Sequence, residues 1–219
     1  MNEHLDIVPT RSVLRELEAE LRMVHEGREF LDEKRTLLAG EILRRLERYD
    51  RDRRELETLR RRAVQSLAEA SARHGLDGLL CQPATPCAAE LRVSEAAFLG
   101  VPLVEARLEW PAAERELVGS APSVESRRCR GLHRRLLEQS ASVAAQIGTL
   151  RRLQREYRHT ERRARALEDV LEPELSATVD RVREELDEQD QDEAVRARHG
   201  AHRSGVDVAA RAAEPRRPS

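Results

Sequence analysis

Aromatic side chains are almost missing from this 219-residue chain: Phe, Trp and Tyr together make up 2% of it, against 37% charged residues. Few large side chains are on hand to fill a wide core, which argues against an ordinary globule. Lysine is nearly missing too. Lys34 is the single one and Arg35 follows it, which excludes a Walker A phosphate loop, since that loop ends in Lys and then Ser or Thr. No apolar run approaches the ~18–20 residues that span a bilayer. The opening MNEHLDIVPT is neither basic nor apolar enough for a secretory signal. The three cysteines, Cys81, Cys87 and Cys129, are an odd count. Together these features predict reduced thiols in a soluble cytosolic protein.

Catalytic patterns are lacking as well. HExxH, paired CxxC, GxGxxG and GxSxG do not occur. Cys81 and Cys87 bracket QPATP without a second ligand pair, and His25, His74, His133 and His159 have no partner at ligand spacing. No catalytic residue, metal or cofactor is expected. The formal net charge of −2 argues against a dedicated nucleic-acid binder. The Arg runs RDRR, LRRRA and RRLQRE are balanced by nearby Glu or Asp and lack interleaved aromatics, as a solvated helix surface does.

What is present is helical periodicity. From Ser12 to Arg73 there is no proline. Leu14, Leu17, Leu21, Val24, Leu31, Leu38, Ile42, Leu46, Tyr49, Leu56, Ala63, Leu67 and Ala70 recur at gaps of threes, fours and sevens. That spacing lies nearer 3.5 than 3.6 residues per turn and predicts a coiled-coil helix over 12–73, with residues 1–11 as an extension and cap. From 74 to 122 the pattern collapses around Gly75, Gly78, Pro83, Pro86, Gly100, Pro102 and Pro111. Leu91 and Val93, and then Val104, Ala106, Leu108 and Trp110, alternate as strands do, so this segment reads as a small irregular or β-hairpin cap. Helical spacing returns over 123–192, and 193–219 reads as a disordered tail. The expected fold is all-α: a long antiparallel two-helix coiled coil of the N- and C-terminal helices, with the cap in the middle.

Two residues conflict with that reading. Gly27 costs a helix about 1 kcal/mol relative to alanine; it is either a tolerated accident or the mark of close approach by another backbone. Pro173 deletes a backbone hydrogen bond and clashes with the Asp169 carbonyl. Yet the apolar positions from Leu153 to Leu186, Leu171 and Leu175 among them, stay within about 60° of Ala164 at 100° per residue. One helix is therefore expected to continue through Pro173, with a bend or loosened turn over Asp169–Pro173.

VPTRSVLRELEAELRMVHEGREFLDEKRTLL resembles the N-terminal signature of the D subunit of V-type and A-type rotary ATPases, at Pro9, Thr10, Arg11, Leu14, Gly27, Leu31, Lys34 and Arg35. ERRARALEDVLEPELSATVDRVREELDE is similar to the C-terminal signature, at Arg162, Arg163, Ala166, Leu167, Glu168, Val170, Pro173 and Leu175. FLGVPLVE resembles a central segment at Gly100 and Val101. Ala164-Arg165 stands where the family has Val-Asn, and Glu172 where it has an apolar residue before the proline.

The resemblance implies a non-catalytic central rotor shaft. It would couple ATP hydrolysis or synthesis to translocation of an ion, with the proton as the expected ion. The implied partners are the catalytic and nucleotide-binding subunits of an ATPase hexamer, a small F subunit and a funnel-shaped subunit on the membrane ring. The implied place is the cytoplasmic face of the cell membrane, without insertion. The periodicity alone equally fits a structural coiled-coil scaffold unrelated to ATPases.

Overall fold

The computed structural model describes residues 8–81, 89–110 and 123–212. Helix α1 spans Arg11–Leu80, strand β1 Glu90–Phe98 and strand β2 Val101–Glu109. Helix α2 spans Val124–Ala166, a π-helical turn Leu167–Leu171, and helix α3 Glu172–Ala212. The chain divides into two units, Met1–Leu31 with Arg162–Ser219, and Asp32–Glu161.

In the second unit α1 and α2 run antiparallel. Gln146 donates to Asp52 at 2.6 Å, Arg128 reaches Glu69 at 3.6 Å, and Arg73 reaches Glu125 at 3.1 Å. Ala63, Ser66 and Ala70 are buried at coiled-coil spacing on α1. The helical spacing breaks at Gly75, whose φ of 68° and ψ of 167° lie outside the helix region. The expected end at Arg73 thus stops just short of a kink, beyond which helical turns continue to Leu80. Ser123 caps α2: its Oγ accepts from the Ser126 N–H at 3.1 Å and shares a hydrogen bond with His74 Nε2 at 2.7 Å.

The expected hairpin is present. β1 and β2 pair antiparallel, with Phe98 opposite Val101 across a two-residue turn. Leu99 and Gly100 take φ of 49° and 82°, the two positive values a type I′ turn requires. Gly100 therefore serves the turn. Val104, Ala106, Leu108 and Trp110 are half-buried as the alternation predicts, but Val101 and Leu103 are more buried still. They join the fully buried Leu38 and Leu153, with Ile42, Phe98 and Tyr157 packed around them. This small cluster is the core that holds the hairpin on the helix pair.

A second device holds it. Thr149 is fully buried in α2, and its hydroxyl accepts from the Val104 N–H at 2.9 Å and donates to the Val104 carbonyl at 3.1 Å. One side chain thus satisfies both backbone groups that β2 turns away from β1 at this position. Thr149→Val keeps the shape and removes both bonds. It should cost about 1–3 kcal/mol, the range for stranding buried polar groups, measured by denaturant unfolding of the isolated chain.

In the first unit α1 runs antiparallel to α3. Arg11 Nη2 donates to Asp190 Oδ2 at 2.8 Å, Arg183 Nη2 to Glu18 Oε1 at 2.8 Å, and Arg28 Nη1 to Glu172 Oε2 at 2.9 Å. Val24, Ala164, Val179 and Val182 are buried. The helix passes Pro173 without a loop, as expected. The accommodation is the π turn just before it, where the Glu172 N–H bonds the Leu167 carbonyl instead of the one four residues back.

The π turn also corrects the stripe. Leu171, expected on the apolar face, is 38% exposed, while Leu175 is half-buried. Leu167 and Leu175 are eight residues apart, about 80° beyond two full α turns. The wide turn absorbs the extra residue, so Leu175 stays on the buried side and Leu171 is rotated out. A second correction concerns the tail: helix α3 continues to Ala212, past Asp192, where the sequence predicts that disorder begins. The Ala- and Arg-rich sequence favours helix without needing an apolar face. The rest of that expected tail, residues 213–219, lies outside the described residues.

Candidate functional site

The signature residues of the two chain ends meet in the first unit. Pro9 is half-buried, and the Thr10 hydroxyl accepts from the Val13 N–H at 3.2 Å while its carbonyl accepts from the Leu14 N–H, which starts α1. Arg11 then reaches Asp190. Leu14 and Leu31 of α1, and Leu167 and Leu175 on the other side, are half-buried and line the pairing.

Gly27 faces Leu167. A Cβ built on it would meet Leu167 Cδ1 at 3.7 Å, an ordinary contact. The close backbone approach expected at Gly27 is therefore not made by the described residues of this chain.

In the sequence Glu172 is only a departure from an apolar position. In the structure it is the hub of the π turn. Its carboxylate takes Arg28 at 2.9 Å and lies 3.4 Å from His25 Nδ1. A charge in place of an apolar residue is thus matched by the Arg28 guanidinium on α1, with the His25 ring beside it. Only the antiparallel register could have disclosed that pairing.

The remaining signature residues do other work. Lys34 and Arg35 belong to the second unit, where Lys34 Nζ donates to Glu156 Oε1 at 2.6 Å and Arg35 reaches Asp32 at 3.1 Å. Gly100 and Val101 form the hairpin turn and its core contact. Arg162, Arg163, Ala166, Glu168, Val170 and Pro173 are exposed. They are not gathered into a pocket.

What this surface offers is charge and exposed apolar area. No group of His, Cys, Asp and Glu among the described residues could hold a metal ion. Large apolar side chains stand open on the first unit instead. Met23 is 69% exposed and Phe30 65%, one heptad apart on the same side of α1; Val170 is 52% exposed. Exposed apolar side chains beside arginines are the makeup of a surface that a partner covers.

The family described as the D subunit of ATP synthase has a model that matches residues 13–199, beginning just after Pro9-Thr10-Arg11. The V-type ATP synthase D subunit of Anaeromyxobacter dehalogenans is 31% identical over 194 residues, covering 86% of this chain and 92% of that protein. The A-type ATP synthase D subunit of a Desulfurococcus species is 28% identical over 196 residues, covering 88% and 92%. The V-type ATP synthase D subunit of Thermotoga neapolitana is 25% identical over 193 residues, covering 88% and 95%. With its long helices, the paired chain ends and a family match across most of its length, the chain belongs to the family of ATP synthase D subunits.

Proposed function

We propose that this chain is the central rotor stalk of a V/A-type ATPase or ATP synthase. It would turn inside a hexamer of catalytic and nucleotide-binding subunits and so couple ATP hydrolysis or synthesis to proton translocation. The observation that carries the reading is the first unit: its two segments pair as antiparallel helices while Met23, Phe30 and Val170 remain exposed. A rotor needs stiffness and a surface that can slide past successive partners; it needs no nucleophile. The small F subunit and a funnel-shaped subunit on the membrane ring complete the proposed set of partners. The chain would act at the cytoplasmic face without insertion, and no described helix is long and apolar enough to cross a membrane.

Torque would pass through charged contacts with the hexamer bore. Arg162, Arg163 and Arg165 project outward from the end of α2. Replacing all three by alanine should lower the ATP turnover of the assembled complex severalfold while leaving its subunit composition intact. Unchanged turnover in an intact complex would contradict this role for the arginines.

A further inference from the structure

The two edges of the hairpin are treated unequally. Because Phe98 and Val101 flank a two-residue turn, they form a hydrogen-bonded pair, and the bonds alternate from there. Val104 falls in a wide pair, so its N–H and carbonyl point away from β1; Thr149 captures both. Its cross-strand partner Glu95 falls in the same wide pair. The N–H and carbonyl groups of Leu91, Val93, Glu95 and Ala97 therefore point away from β2. No described residue meets them, and every residue from Glu90 to Ala97 is exposed.

That is an open strand edge of about 20 Å, at 3.3 Å per residue. Such an edge is a ready template for another strand, and proteins usually shorten it, cover it or charge it heavily. Here Leu91 and Val93 are 55% and 53% exposed on one face, and Glu95 is the one charge on that face. Glu95 makes no ion pair with any described residue.

We propose that β1 receives an extended segment of another subunit of the complex as a third strand. The incoming strand would carry Lys or Arg opposite Glu95 and an apolar residue two places along, opposite Val93. Charge decides against a second copy of this chain. Pairing two β1 edges antiparallel, as a two-fold axis normal to the sheet requires, matches outward residues only with outward residues, and Leu91, Val93, Glu95 and Ala97 include no cation. Self-pairing would leave Glu95 unmatched, whereas a basic strand satisfies both the backbone edge and the charge.

The proposal rests on the reading of the chain as one subunit of an assembled ATP synthase. The test uses the full-length tagged chain, alone and in the complex it brings down, with hydrogen exchange read at single residues. The amides of Leu91, Val93, Glu95 and Ala97 should exchange fast in the isolated chain and slowly in the complex. The amides of Arg92, Ser94 and Ala96, already bonded to β2, serve as the internal reference. Glu95→Pro removes only an outward N–H and leaves the ladder to β2 in place. It should abolish the protection and weaken retention of the partner about tenfold, the effect of one lost interaction of ordinary strength. Glu95→Lys should weaken retention as well, without disturbing the hairpin.

A complex that forms with these amides still fast, and Glu95→Pro assembling like the parent, would overturn strand addition and leave the subunit reading standing. Failure of the parent chain to bring down any complex would overturn both. Protection that rises with concentration in the isolated chain would show self-pairing and overturn the proposed partner.

Discussion

Leu153→Ala should destabilise the isolated chain by about 2–5 kcal/mol, the range for emptying a fully buried leucine site. Leu153 has no exposed surface, and it meets Leu38 from α1 and Val101 and Leu103 from β2. Four side chains from three elements share this one cluster, so truncating any of them leaves a gap that the other three border. The loss is large against the ~5–15 kcal/mol total stability of a typical domain. Urea unfolding would measure it, and hydrogen exchange in β2 should accelerate in parallel, because the cluster anchors that strand. Leu137→Ala is the comparison. Leu137 is 51% exposed on the same helix, and its loss should cost no more than about 0.5 kcal/mol. Equal costs at the two positions would mean that the cluster does not hold the hairpin.

Deleting Ala177 should disrupt the first unit, and deleting Val170 together with Pro173→Ala should not. A deletion in regular helix rotates everything downstream by about 100°. Losing Ala177 would turn Val179 and Val182, now 3% and 2% exposed, off the face that packs on α1. At about 1.5–3 kcal/mol for each buried aliphatic side chain, that is a large share of the stability of a two-helix pairing. Val170 sits in the π turn, which already holds one residue more than an α turn would. Removing it lets the turn close to α geometry and leaves Leu175, Val179 and Val182 in place. Pro173→Ala accompanies it because a proline inside regular helix costs about 3 kcal/mol. Thermal unfolding by circular dichroism would compare the two deletions. A similar drop in both would show that the π turn does not set the register.

These outcomes mark what could be read from residues alone. The long helices were legible because apolar residues spaced at threes and fours need no tertiary information to predict a paired helix. The hairpin was legible from alternation among glycines and prolines. Pro173 was legible as a flaw inside a continuing helix, because the stripe on either side kept its phase. The π turn was not, since counting at a fixed angle presumes α geometry; the eight-residue step from Leu167 to Leu175, with a proline inside it, is the signal that could have revealed it. Thr149 looks like an ordinary polar residue in a helix, and only the arrival of β2 beside it gives the hydroxyl its two bonds. Glu172 looks like a substitution against type until Arg28 and His25 are seen facing it. Among the signature residues, spacing located the paired segments, but which side chains face inward depended on a register that a single sequence does not encode locally.

If the chain is the proposed rotor, its rotation can be seen directly. The exposed Cys81 at the end of α1 offers a place to attach a bead once Cys87 and Cys129 are changed to serine. With the partner hexamer fixed to glass, added ATP should drive the bead round in one direction, and withdrawing ATP should stop it. A bead that only fluctuates about one position, on a complex that hydrolyses ATP at full rate, would contradict the rotor reading.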